Sequence, residues 1–221
     1  MQEMTAQDHS KTKIKICGLR RREDILAVNE AKPDYCGFII EFPKSFRSVT
    51  ADQVRELVKE LAPEIQPVGV FVNAPMELVR TLLDDGTLAL AQLHGQENES
   101  YIRELKTYTD KPIIKAFSIA LPKDLLAVFN YEGFCDYYLF DTRTVHYGGS
   151  GQQFDWSILQ RYTGSTPFLL SGGINSYSVK ALKEFHHPRL TGIDINSRFE
   201  TSPGIKDVER IERFLKELRT N

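Results

Sequence analysis

Lys13-Ile14-Lys15-Ile16-Cys17, followed at once by Gly18, opens a series of short apolar runs whose number and spacing decide the fold. The later runs are Tyr35–Ile40, Pro67–Val72, Leu88–Gln92, Pro112–Ala116, Tyr137–Phe140, Pro167–Leu170 and Leu190–Ile195. Several are apolar on successive residues instead of alternating, the pattern of strands covered on both faces.

Helical patterns fill the gaps. Val54, Leu57, Val58 and Leu61 recur at helical spacing after Thr50, an N-cap residue type. Leu78, Val79, Leu82 and Leu83 repeat the pattern after Pro75, and Val208, Ile211, Phe214, Leu215 and Leu218 form a last amphipathic helix. Glu97–Leu105 is also helical in character, with weaker helices at Arg22–Glu30, Pro122–Phe129, Asp155–Gln160 and Tyr177–Phe185. Strand–helix units of roughly 25 residues predict a single-domain (β/α)8 TIM barrel of the α/β class. A doubly wound open sheet is the alternative, but no Gly-x-Gly-x-x-Gly follows the first strand. Residues 13–221 are assigned to the barrel and Met1–Thr12, polar throughout, to a frayed tail.

Composition excludes several classes. With 41% hydrophobic and 26% charged residues among 221, the chain reads as an ordinary globular protein. A net charge of −2 with mixed signs argues against a nucleic-acid surface. No apolar stretch reaches the ~20 residues that span a bilayer. The cysteines Cys17, Cys36 and Cys135 fit neither a disulfide framework nor a zinc site, so a reducing cytoplasm is the expected setting.

In a parallel barrel every loop that follows a strand opens on one face. That rule gathers Cys17, Arg47, Gln92, His94, Asp141, Ser171-Gly172-Gly173 and Asp194-Ile195-Asn196-Ser197 at one mouth. A thiol and a carboxyl at such positions suit general base and general acid. By residue type alone Cys17 reads equally as a small buried hydrophobe, and Asp141 as a loop cap. The glycine-bearing loops after the last two strands suit a phosphate, with Gly172, Gly173, Asn196 and Ser197 as its candidate partners and a following helix N-terminus as support.

The run-end residues resemble the phosphoribosylanthranilate isomerase family of tryptophan biosynthesis. The similar segments are Lys15-Ile16-Cys17-Gly18, Pro43-Lys44-Ser45-Phe46-Arg47, Gly69-Val70-Phe71-Val72-Asn73, Gln92-Leu93-His94-Gly95, Leu139-Phe140-Asp141-Thr142, Tyr147-Gly148-Gly149-Ser150-Gly151 and Leu170-Ser171-Gly172-Gly173. They follow the family's order from Lys13 to about Leu218. The resemblance implies an Amadori rearrangement of a phosphosugar, with Cys17 as base, Asp141 as acid and no metal or organic cofactor. It makes Arg47 the partner of an anthranilate carboxylate and puts Gln92 and His94 beside the substrate. Asp194 either touches a sugar hydroxyl or fixes its loop. The partner is a small phosphosugar, without nucleic acid or membrane, and the chain is a monomer or homodimer. The competing readings are another phosphosugar isomerase of histidine or tryptophan biosynthesis and a non-catalytic phosphate-binding barrel.

Three further expectations follow. A free thiol of pKa ~8.5 is only ~3% thiolate at pH 7, so local positive potential should lower that of Cys17. Where the family has Gly in Asp-x-Ser-Ser-Gly-Val-Glu, this chain has Arg198, which either turns outward or contacts the phosphate. The three glycines of Tyr147–Gly151 suggest a flap over the mouth.

Overall fold

The computed structural model describes residues 12–142 and 156–220. The proposed flap and nearly all of the N-terminal tail lie outside the described residues. Eight parallel strands close into a barrel: β1 Lys13–Cys17, β2 Tyr35–Ile40, β3 Gln66–Phe71, β4 Leu90–Leu93, β5 Ile113–Ile119, β6 Tyr137–Thr142, β7 Phe168–Ser171 and β8 Leu190–Ile195. Each pairs with its neighbours in chain order, and β1 pairs with both β2 and β8, which completes the ring. A two-residue strand, Ser48–Val49, extends the sheet beside β2, and a small hairpin of Glu200–Ser202 and Ile205–Lys206 follows β8.

The helices are α1 Arg22–Ala31, α2 Ala51–Val58, α3 Met76–Asp84, α4 Glu99–Lys106, α5 Val179–Glu184 and α6 Val208–Arg219. Thr50 and Gln53 form a reciprocal capping box at the start of α2. The helix expected from Glu97 starts at Glu99 instead, because the Glu97 carboxylate accepts from the N–H groups of Asn73 and Gly95 and Asn98 takes the cap. The helix expected from Tyr177 is likewise shorter. Asn175 and Ser178 hold the preceding turn by side-chain bonds, and the chain turns extended at Phe185, ahead of Pro188. Pro122–Tyr131 and Trp156–Arg161 are 3-10 helices, not α-helices.

Two separate apolar clusters fill the molecule. The larger packs the outer face of the strands against the helices. The smaller lies inside the ring and contains Tyr35, Val68, Leu90, Ile114, Ala116 and Leu139. This double coverage is why the strand runs lack polar alternation. Below the inner cluster Lys13 donates to the Tyr35 hydroxyl at 2.8 Å, and its ammonium lies 5.3 and 5.7 Å from the Tyr35 and Tyr137 ring centres. Residues 15 and 17 continue the inward face of β1 above it, since inward positions recur every second residue.

Phe140 points the other way, into the outer core, with ring centres 4.8 Å from Phe168, 5.2 Å from Tyr162 and 6.4 Å from Phe117. It is fully buried. Phe140→Ala should lower the unfolding free energy by about 3–5 kcal/mol in a denaturant titration.

Candidate active site

The ends of the strands frame one cleft, lined by Cys17, Gln92, His94, Asp141, the Ser171–Ile174 loop, Asp194 and residues 196–198. Of the ten candidate catalytic and binding residues, all but Arg47 therefore line one cleft. Cys17 ends β1, and Gly18 turns the chain there with φ +77°. A side chain at Gly18 would strike Arg47 Cδ and Asn196 Oδ1, at 2.6 and 2.7 Å, so glycine is required by both angle and space. Asp141 lies within β6 and not beyond it, because the strand runs on to Thr142 and pairs Asp141 with Ser171.

The Cys17 thiol is buried, and burial pushes its pKa up. Lys15 opposes that shift, as does Lys206 more weakly, but they do not outweigh it. The expectation of a lowered value is thus corrected for the ligand-free site: a sulfur withdrawn from water loses hydration that would favour its anion. The remaining cysteines are packed thiols. Burial raises both, Cys36 furthest and Cys135 to about 12.

Gln92 is buried below the cleft with its amide nitrogen 3.1 Å from His94 Nδ1. An amide donor at Nδ1 leaves the ring proton on Nε2, which faces Asp141 Oδ2 at 3.9 Å. The Gln92 carbonyl oxygen is buried without a hydrogen-bond partner among the described residues. It belongs to a residue that lines the cleft.

Sequence reading missed the charged residues beneath the mouth. Lys15, fully buried, donates to Asp194 Oδ1 at 3.0 Å, and strand register places the two residues side by side across β1 and β8. Burial pulls the Lys15 ammonium down, but Asp194 and Cys17 outweigh it and leave its pKa raised. Lysine at the third position of a β-run is a weak local signal, because only ring closure shows which face it occupies.

Arg47 departs from its expected role in a specific way. Its Nε and Nη2 donate side-on to the Glu200 carboxylate at 2.7 and 2.6 Å. Lys206 joins them, donating to Glu200 Oε1 at 2.8 Å and Asn196 Oδ1 at 3.0 Å. One edge of the guanidinium is therefore occupied, and only its Nη1–Nη2 end is left for a second carboxylate.

The candidate phosphate corner holds Gly172 and Gly173, with φ +85° and +68°, opposite the 3-10 turn Ser197–Phe199. A Cβ on Gly172 would sit 2.1 Å from the Thr142 carbonyl oxygen. The following helix, expected from Tyr177, begins at Val179, six residues beyond Gly173. Arg198 is exposed at the rim beside Ser197, and its backbone does not adopt the left-handed region. Replacing the family's Gly therefore needs no strained angle.

Comparison with known proteins agrees with this geometry. The sequence profile of the family described as N-(5'phosphoribosyl)anthranilate (PRA) isomerase matches residues 14–217. N-(5'-phosphoribosyl)anthranilate isomerase of Phocaeicola vulgatus is 43% identical over 93% of this chain and 97% of its own. The crystal structure of phosphoribosyl anthranilate isomerase from Thermotoga maritima superposes with a TM-score of 0.81 at 33% identity, covering 94% of this chain and 98% of that one. A structure of such an isomerase in complex with reduced 1-(o-carboxyphenylamino)-1-deoxyribulose 5-phosphate gives 0.79 at 30% identity, with the same coverage.

The Arg47–Glu200–Lys206 cluster has a pH signature. Burial alone would raise the Glu200 carboxyl, but hydrogen bonds from Arg47, Lys206 and the Gly204 N–H bring it down to about 2. Its unfolded value is higher, so this stabilisation is complete above that value and disappears as pH falls toward 2. Wild type should lose on the order of 3 kcal/mol more than Glu200→Gln between pH 5 and 2, measured by urea unfolding at each pH.

Proposed function

The chain belongs to the N-(5'-phosphoribosyl)anthranilate isomerase family, and we propose that it isomerises its phosphosugar with Cys17 as base and Asp141 as acid. The reaction turns the aminoaldose N-(5'-phosphoribosyl)anthranilate into the aminoketose 1-(2-carboxyphenylamino)-1-deoxyribulose 5-phosphate, a step of tryptophan biosynthesis. The observation that carries the assignment is that a thiol from β1 and a carboxyl from β6 line one cleft with a glycine-bearing anion corner.

Asp141, protonated, gives its proton to the furanose oxygen, and the C1–O bond opens. The anthranilate nitrogen supplies the electron pair and becomes an iminium, which acidifies the proton on C2. Cys17, as thiolate, takes that proton and leaves an enolamine, whose hydroxyl proton moves to C1 as the ketone forms. The enzyme then holds a thiol and a carboxylate, and one proton passed between them through solvent restores the start. His94, 3.9 Å from Asp141, would help to orient that carboxyl.

Gly172, Gly173, Asn196 and Ser197 hold the phosphate through backbone N–H and side-chain groups. The free end of Arg47 takes the anthranilate carboxylate while Glu200 keeps the guanidinium in place. The orphan Gln92 oxygen accepts from the substrate's N–H or a hydroxyl, which relieves the cost of an unmade buried bond. Asp194 has one oxygen committed to Lys15 and offers the other to a sugar hydroxyl. Every proposed group comes from one chain, so a monomer or a homodimer would serve, and a reducing cytoplasm suits the catalytic thiol.

Loss of phosphoribosylanthranilate fluorescence measures the reaction directly. Cys17→Ala and Asp141→Asn should each slow turnover by about 10²–10⁴-fold with KM little changed. Near-normal turnover in either variant removes that residue from its role. Arg198→Ala should raise KM about tenfold at constant kcat if the rim guanidinium contacts the phosphate; an unchanged KM assigns the side chain to solvent.

A further inference from the structure

Cys17 must hold a negative charge to act as a base, yet it lies where water cannot stabilise one. The charged groups that bear on its sulfur come from every element around it. Lys15 and Asp194 reach it from β1 and β8, Lys206 from the hairpin strand, and Arg47 from the segment before Ser48. Glu200 binds both Arg47 and Lys206. Cys36 on β2 is a neutral neighbour. Three cations thus stand against two carboxylates, and the set reaches neutrality when the sulfur ionises.

Lys15 is distinguished among the cations by position. It is two residues below Cys17 on the same inward face, and both side chains flank Gly37, which stands opposite Cys17 in register. A Cβ built on Gly37 would lie 2.8 Å from Cys17 Sγ and 3.1 Å from Lys15 Nζ. Glycine there leaves the ammonium and the sulfur on the two sides of one bare patch of backbone. The other face of the ammonium is occupied by Asp194 at 3.0 Å.

We propose that Lys15 is a positioning residue for catalysis: clamped by Asp194 beneath the floor of the cleft, its ammonium is the counter-charge that lets Cys17 become a thiolate. Asp194 has two effects in this arrangement. It holds the buried lysine in place through a hydrogen bond that an asparagine oxygen can also accept, and its negative charge competes with the sulfur for the same ammonium. The inference rests on Cys17 being the base of the reaction.

The test follows Cys17 ionisation in two ways: the acidic limb of the pH profile of kcat/KM, and peptide-resolved alkylation of Cys17 by iodoacetamide across pH. Lys15→Met should move both upward by at least one pH unit, a tenfold or greater loss of thiolate at neutral pH, with KM little changed. Asp194→Asn should move both downward, because the lysine is then shared with no competitor, even though its turnover suffers from a lost substrate contact. A limb unmoved in folded Lys15→Met, with activity merely lower, overturns the proposal and makes the lysine structural. If Lys15→Met does not fold, Asp194→Asn decides alone: an unmoved or upward limb overturns the proposal. Cys17→Ala, assayed beside them, separates the two claims. An active Cys17→Ala defeats the assignment of the base, whereas an inactive one with unshifted Lys15 and Asp194 variants defeats only the role of Lys15.

Discussion

A parallel barrel turns every second side chain of a strand inward, and at residue 15 of this chain that side chain is a lysine. Its burial is tolerable because closing the ring brings Asp194 of β8 into register beside it. Breaking a buried pair by removing one partner costs about 3–5 kcal/mol, since a charge is left without compensation. The same contact marks a boundary. Below it the interior is apolar, with Tyr35, Val68, Leu90, Ile114 and Leu139 packed together. Above it stand the thiol, the carboxyl and the anion corner. Ring closure and interior electrostatics therefore share one pair of side chains.

A second charged cluster organises the rim. The guanidinium of Arg47 is held side-on by Glu200, which is itself bound by Lys206, and Lys206 reaches Asn196 in the candidate phosphate corner. These bonds tie the segment after β2 to the segment after β8, on either side of β1. The stem of Arg47 lies against Gly18, which carries no side chain to displace it. The residues proposed to recognise the carboxylate and the phosphate, and the turn after the thiol, are thus coupled through direct contacts. A pre-formed rim of this kind lowers the ordering cost of binding.

Much of this was readable from local pattern. Continuous apolar runs located the strands to within a few residues, and β1, β2 and β8 match their predicted limits. Cys17 and Asp141 stood out because polar, reactive side chains sat where such runs ended. What local pattern could not supply was partnership. Glu97 looks like the start of a helix until its carboxylate is found bound to Asn73 on another loop as well as to Gly95 two residues before it. Glu200 and Lys206 are ordinary charged residues until the hairpin folds them onto Arg47. The ionisation of Cys17 was misjudged for the same reason. Positive neighbours were expected, and they exist, but the extent of burial opposing them depends on the assembled mouth.

Lys13 lies between the rings of Tyr35 and Tyr137 at the far end of the barrel, and above it the inner apolar cluster fills the ring. The ring is consequently a cup and not a conduit. On the proposed mechanism, a proton taken from C2 by Cys17 would have no path through this packed interior and would meet bulk solvent by way of the opening through which substrate arrives. Washout of an isotopic label from the sulfur would thereby be tied to the departure of product.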